Sequence, residues 1–366
     1  MEFPKVSHPV YKNINATSGP AKAYGFLDKE TFREFYYELD TLGQNQVRGR
    51  VLHVGMCHSD AFHGRSKWYP SLYPTSMGHE VVAEAIEVGP DVKNFKKGDI
   101  FLVGCMRSCC HKCTSCLKTN DNLCTGVEAA QRLTFGLYFG GYGTHIQAEE
   151  HWCFKAPQGL DLANAPPLMC AGVTTYAPLA RLGRKGEKCV VIGIGGLGHL
   201  AVQFATKMGM EVVAFVSNLS SQEFVKGLGA TKVVDWINGD LKEYQNYFDI
   251  AINTLSFTPN IELATKLMST LAPEAKYVQL GVGEASQPLY FPATALIMKQ
   301  ISIHGSAAGS KKETEEMLDF VVKNEVKAIC EHYTLEEFPK AFDKMENGKP
   351  IFRCVVDIDP VSKTFA

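Results

Sequence analysis

The chain has 366 residues, 45% of them apolar and 21% charged, a balance that excludes a disordered or fibrous protein and calls for two hydrophobic cores. Its 37 Lys and Arg against 39 Asp and Glu leave a formal charge of −2, so no basic footprint for nucleic acid is present. Met1 to Pro20 show no basic stretch leading into an apolar one, so no secretory leader is read and the cytoplasm is the expected compartment.

Residues 20 to 160 read as short β-rich segments broken by Gly and Pro, such as Val81–Val88 before the Gly89-Pro90 turn, and predict a β-barrel domain. This half carries Gly55-Met56-Cys57-His58-Ser59-Asp60 and Gly78-His79-Glu80. Next comes Cys110-x2-Cys113-x2-Cys116-x7-Cys124, the ligand type and number of a closed, tetrahedral, structural zinc site. An iron–sulfur cluster or free thiols are the rival readings of those cysteines. Cys105 and Cys109 flank the set, break its spacing and are expected to be spectators. The chain holds twelve cysteines in all. With no leader visible, metal ligation or free thiols are expected of them, and disulfides are not.

From about Pro166 strands alternate with amphipathic helices: Lys188 to Ile192, Gly198 to Met208, Val212 to Val216, Ser221 to Leu228. That order predicts a parallel, doubly wound sheet. Cys170, with Cys57 and His79, completes two thiolates and an imidazole, three ligands that leave one position open, as a catalytic zinc requires. A lone buried Cys or His is ordinarily core, and only the company of the three argues otherwise.

The uncharged run Cys189 to Thr206 contains Gly193, Gly195, Gly196, Leu197, Gly198, His199 and Gln203. It reads as strand, G-x-G-x-x-G turn and helix, and no membrane span is expected. Gly193 permits the tight turn, Gly195 lets a pyrophosphate approach, and Gly198 packs helix on strand, with the helix N-terminus facing the phosphates. Where an NAD-binding protein places an acid after the second strand, this chain has Ser217, followed by Asn218 and Ser220. NADP(H) is therefore favoured over NAD(H), although no Lys or Arg stands closer than Lys226. The tail predicts a helix at Glu313 to Lys323 and a strand at Cys354–Ile358 that folds back onto the first domain.

Together, the Cys57 and His79 motifs, the four-cysteine loop and the glycine fingerprint resemble the zinc-containing medium-chain alcohol dehydrogenases. Leu168 to Thr174, Gly140-Gly141-Tyr142-Gly143 and Glu316 to Phe320 resemble the cinnamyl alcohol dehydrogenase branch most. The resemblance implies an α/β protein with a GroES-like catalytic domain at 1–163 and 306–366, carrying both zinc ions, and a Rossmann domain at 164–305. It implies Cys57, His79 and Cys170 as catalytic zinc ligands with Glu80 beside the metal, Asp60 orienting His79 and Ser59 carrying the alcohol proton. His58, Thr174 and Arg353 are implied at the cofactor, each with an ordinary structural reading beside it. The family often has a histidine two residues after the aspartate. Here Phe62 stands there, so a proton relay either stops at the cofactor ribose and solvent or passes to His63. The expected reaction moves a hydride between NADP(H) and a primary alcohol or aldehyde, aromatic in the nearest branch. Trp68, Tyr69 and Tyr138 are read as core or as pocket walls. A homodimer is implied, with Leu289 to Ile303 as its edge. Three rivals remain: a zinc-free quinone or enone reductase, a non-enzymatic dinucleotide-binding redox sensor, and, least favoured, a zinc-dependent nucleic-acid module.

Overall fold

A computed structural model describes residues 14–15, 17–256, 260–284, 288–348 and 350–359. Residues 1–13 of the segment read for a leader, and 360–366 of the tail, lie outside them. The chain divides into two compact units: one reaches Cys170 and adds 310–322 and the chain from Ala328 on, the other is 171–309 with 323–327. Among the described residues no helix is long and apolar enough to cross a membrane.

The first unit is built on a β-sheet that is antiparallel except where Cys330–Thr334 pairs in parallel with Arg353–Asp357. The long strand Gln46–Met56 pairs with Val81–Val88, with His145–Glu149 and with Arg353–Asp357. Ile100–Val103 and Cys153–Lys155 extend the sheet on one side, and Cys330–Thr334 extends it on the other. Along Val81–Val88 the outward Glu84 and Glu87 meet Arg50 and Arg48 on the neighbouring strand, as a sheet with one wet face requires. Its core is closed by the helix Phe338–Asn347, which buries Phe338, Ala341, Phe342 and Met345, the i, i+3, i+4, i+7 stripe of an amphipathic helix. Phe338 stacks on Tyr24 at 4.5 Å and Phe342 on Phe32 at 4.1 Å between ring centroids. Because the strand Arg353–Asp357 registers Cys354 against Met56, it lies beside the segment that delivers Cys57.

The second unit is a six-stranded parallel sheet. Its order is Lys232–Asp235, Glu211–Val216, Lys188–Ile192, Phe248–Asn253, Leu271–Gln279, Ser302–Gly305, the 3-2-1-4-5-6 order of a dinucleotide-binding fold. Val190, Val191 and Ile192, and Val212 through Phe215, are almost fully buried, so these strands read as continuous apolar runs because helices cover both faces. The expected α/β class is present as a β-rich first unit and a doubly wound parallel sheet in the second. The helix Ala171–Leu182 carries Pro178 in its interior, a position that ordinarily breaks a helix and that the periodicity gave no reason to place there.

Candidate active site and metal centres

Cys57 leaves the strand Gln46–Met56 and caps the helix His58–Gly64. Its backbone N–H donates to Asp60 Oδ2 at 3.0 Å, so the first helical turn holds the carboxylate against the cysteine. Asp60 is completely buried. Its Oδ1 also accepts from the Gly78 N–H at 3.0 Å and from His79 Nδ1 at 2.9 Å, and its Oδ2 accepts from the Tyr142 hydroxyl at 2.8 Å. Four donors compensate the burial of this charge. With its Nδ1 proton given to Asp60, His79 presents the Nε2 lone pair on the far side, 3.1 Å from Cys170 Sγ.

Cys57, His79, Glu80 and Cys170 are all buried, and their donor atoms lie within 4.8 Å of one another. A tetrahedral zinc with one thiolate and one imidazole spaces those two atoms by about 3.6 Å, so a small opening of the cluster accommodates the ion. Glu80 is 0% exposed and neither of its oxygens has a hydrogen-bond partner among the described residues. Arg353 Nη2 stands 3.7 Å away. Burial raises the Glu80 carboxyl to about 7 despite that guanidinium. The Cys170 thiol beside Cys57 holds the Cys57 thiol well below its ordinary range. Against the effect of burial, Asp60 raises His79. Two thiols, one of them already biased to thiolate, an oriented imidazole and an orphaned buried carboxylate form a donor set that a divalent cation satisfies.

The sulfurs of Cys110, Cys113, Cys116 and Cys124 also converge within 4.8 Å. The pairs Cys113–Cys116, Cys110–Cys116 and Cys113–Cys124 are 3.5, 3.9 and 4.0 Å apart. The edge of a zinc–thiolate tetrahedron is about 3.8 Å, whereas a disulfide needs about 2.05 Å. The N–H groups of Cys110 and Cys113 donate to Cys124 Sγ and Cys110 Sγ, each at 3.3 Å, which favours thiolates. All twelve cysteines are free.

In the second unit the strand Lys188–Ile192 runs through the glycine loop into the helix Gly198–Lys207, with Leu197 as its cap. Gly193 has φ +83°, and a Cβ at Gly198 would stand 2.0 Å from the Gly193 carbonyl oxygen. Turn and helix therefore close only with glycine. A Cβ at Gly195 would meet nothing within 4 Å, leaving open the space a dinucleotide's phosphates need at a helix N-terminus. Ser217, Asn218 and Ser220 follow the strand Glu211–Val216 and are exposed. Thr174 is buried in the helix Ala171–Leu182.

Residues 43–158 match the family described as alcohol dehydrogenase GroES-like domain, and residues 196–323 match zinc-binding dehydrogenase. An aldehyde reductase, AdhA, from Synechocystis is 36% identical over 92% of this chain and 98% of its own. A cinnamyl alcohol dehydrogenase from Sorghum bicolor superposes with a TM-score of 0.85 at 30% identity, over 92% of this chain and 97% of its own. CAD from Helicobacter pylori complexed with NADP(H) gives 0.83 at 28% identity, over 94% and 99%. The chain belongs to the zinc-dependent medium-chain alcohol dehydrogenases. Within them it falls in the cinnamyl alcohol dehydrogenase-like branch, and it is an oxidoreductase of the alcohol dehydrogenase type.

Several side chains of this dehydrogenase sit differently from their reading in sequence. Cys105 and Cys109 stand outside the cluster of four sulfurs, and Cys109 gathers with His111 and His151. Lys226 is engaged by Glu223 at 2.9 Å. Tyr69 is 41% exposed, while Tyr138 lies under the Arg107 guanidinium at 3.8 Å. Tyr142, the fourth donor to Asp60, was missed as a site residue, although its Gly140-Gly141-Tyr142-Gly143 motif was the available signal.

His63 is 2% exposed, edge-on to Tyr69 and packed on Phe135. Neither of its ring nitrogens has a hydrogen-bond partner among the described residues. Burial lowers its pKa to about 4, so it is neutral wherever the enzyme is assayed near neutrality and has no charge change to offer a relay. His63→Gln is expected to leave the pH–rate profile between pH 6 and 9 unchanged, and loss of an ionisation from that profile would restore His63 to the mechanism.

Proposed function

We propose that this dehydrogenase holds two zinc ions per chain, prefers NADP(H), and interconverts primary alcohols and aldehydes, bulky aromatic ones of the cinnamyl type among them. The catalytic ion would be held by Cys57, His79 and Cys170 with Glu80 beside it, and the structural ion by Cys110, Cys113, Cys116 and Cys124. The observation that carries this reading is Asp60, which binds the Cys57 backbone and His79 Nδ1 at once and so aims His79 Nε2 at Cys170.

When bound, zinc supplies a Lewis acid and the nicotinamide supplies the hydride. The chain's own residues do the rest. Asp60 fixes the His79 tautomer and raises its basicity, and the Tyr142 hydroxyl keeps Asp60 in place. Ser59 Oγ lies 3.6 Å from Cys57 Sγ, where its hydroxyl can hand a proton to the product oxygen and recover one from solvent. Arg353 is 4% exposed, its Nη2 pairs with Glu80 at 3.7 Å and its Nε has no hydrogen-bond partner among the described residues. It would offer that donor to an anion such as a pyrophosphate, and His58, exposed at the first position of its helix, would offer another. The nucleotide would lie along Gly193, Gly195, Gly196, Leu197 and Gly198, with Thr174 toward the nicotinamide. Its 2′-phosphate would meet Ser217, Asn218 and Ser220, where no carboxylate repels it, and the relative solved with NADP(H) supports that choice.

A homodimer through the edge strand Ser302–Gly305 and the preceding helix Ala293–Lys299 belongs to the same proposal, as does a cytoplasmic location. Ile297, Met298 and Ile303 are 73%, 78% and 41% exposed there, an apolar edge that a second copy would cover. Light scattering at the monomer mass would remove this part.

The test pairs zinc analysis with NADPH and NADH oxidation against cinnamaldehyde and a short aliphatic aldehyde. Once exchangeable metal has been removed with a mild chelator, about two zinc ions per chain and faster NADPH consumption are expected. Ser217→Asp should raise the KM for NADPH by about tenfold or more by placing like charges together, with little change for NADH. About one zinc ion and no turnover would leave only the four-cysteine centre filled and favour the non-enzymatic dinucleotide binder.

A further inference from the structure

We propose that Cys109, His111 and His151 form a third metal site, separate from the two centres above, that takes an exchangeable borderline transition ion of the Zn²⁺ class. Their ligating atoms lie within 4.8 Å of one another. Cys109 Sγ is 3.5 Å from His111 Nδ1, against about 3.6 Å for the thiolate–imidazole edge of a tetrahedral zinc site. The two imidazoles stand edge to face at 86° with centroids 4.8 Å apart, and are not stacked.

The surroundings of the two histidines are an independent observation. Each ring lies beside a carboxylate: His151 Nε2 hydrogen-bonds Asp121 Oδ2 at 2.6 Å, and His111 Nε2 stands 3.5 Å from Glu149 Oε2, in ion-pair range. The hydrogen bond leaves His151 Nδ1 for a ligand, the carboxylate–histidine–metal arrangement that fixes tautomer and orientation at zinc centres, while His111 Nδ1 already faces Cys109 Sγ. Both carboxylates are anchored in turn. Asp121 Oδ1 accepts from the Lys311 N–H at 3.0 Å, and Glu149 Oε2 accepts from the Cys109 N–H at 3.4 Å.

Cys109 is 5% exposed, whereas the side chains of His111 and His151 are 50% and 30% exposed. An ion here would have a buried thiolate behind it and an open position toward water, and so would exchange more readily than one enclosed by four thiolates. One soft and two borderline ligands select zinc, cobalt or copper over calcium or magnesium. The three residues are distinct from the catalytic cluster and from the four converging sulfurs.

The full-length protein, His111→Gln and His151→Gln are each dialysed against micromolar Zn²⁺, and bound metal per chain is measured. Both variants are expected to carry about one zinc fewer than the wild type, with aldehyde reduction and thermal midpoint unchanged. Co²⁺ titration should give the wild type an additional thiolate-to-cobalt absorption that both variants lack. Equal metal content in all three proteins overturns the site. The readout is a difference between proteins, so it holds whatever the other clusters contain, whereas loss of turnover in the wild type would count against the proposed function alone. His111→Gln alters an exposed side chain, which keeps the test decisive if His151→Gln is unstable.

Discussion

Cys170→Ser is expected to lower kcat/KM for aldehyde reduction by about 10³-fold or more, the rate equivalent of several kcal/mol of lost charge stabilisation, and to remove one zinc per chain. A serine hydroxyl is a harder donor than a thiolate, shorter in reach, and protonated at neutral pH. Cys170 follows the 3₁₀ turn Pro166–Met169, whose residues are all buried, so the backbone has little freedom to bring a shorter side chain forward. Glu80, already within the cluster, is an oxygen donor placed to take over, and it would close the position a substrate needs. NADPH binding should persist, since the glycine loop belongs to the other unit. Steady-state kinetics, nucleotide fluorescence and elemental analysis together read the result. Retention of both metal and rate would show that Cys170 is core.

Cys116→Ser is expected to act on stability first. The helix Thr114–Leu117 buries none of its residues, and Leu117 and Leu123 are 72% and 49% exposed. The lobe therefore has almost no apolar core, and its shape depends on the four sulfurs. Loss of a structural metal belongs to the few single changes that cost about 4 kcal/mol or more, which lowers the midpoint of a unit this size by about 10 °C. Limited proteolysis should cut between Cys110 and Cys124 before the global transition, with residual activity near wild type in the cold. An unchanged midpoint and uncut lobe would assign the four cysteines no structural role.

What could be read from the chain alone was whatever is local in it. The four cysteines lie within fifteen residues, close enough that spacing alone constrains a tetrahedral site. The strand from Lys188, its glycines and the following helix form one contiguous supersecondary unit. The parallel sheet was legible because strands buried on both faces have only apolar residues to use.

The tertiary structure decided the contacts that join distant segments. Tyr142 reaches Asp60 across 82 residues, and Arg353 faces Glu80 because the tail strand registers Cys354 against Met56. Cys109 departs from the regular spacing, and only packing brings it to His151. His63 stands beside the family motif with the right chemistry for a relay, yet its surroundings of Tyr69 and Phe135 make it a neutral core residue. Local chain stereochemistry and periodicity determine turns, strands and short ligand loops. Burial, tautomer and charge depend on what the rest of the chain brings alongside, and the sheet register sets that.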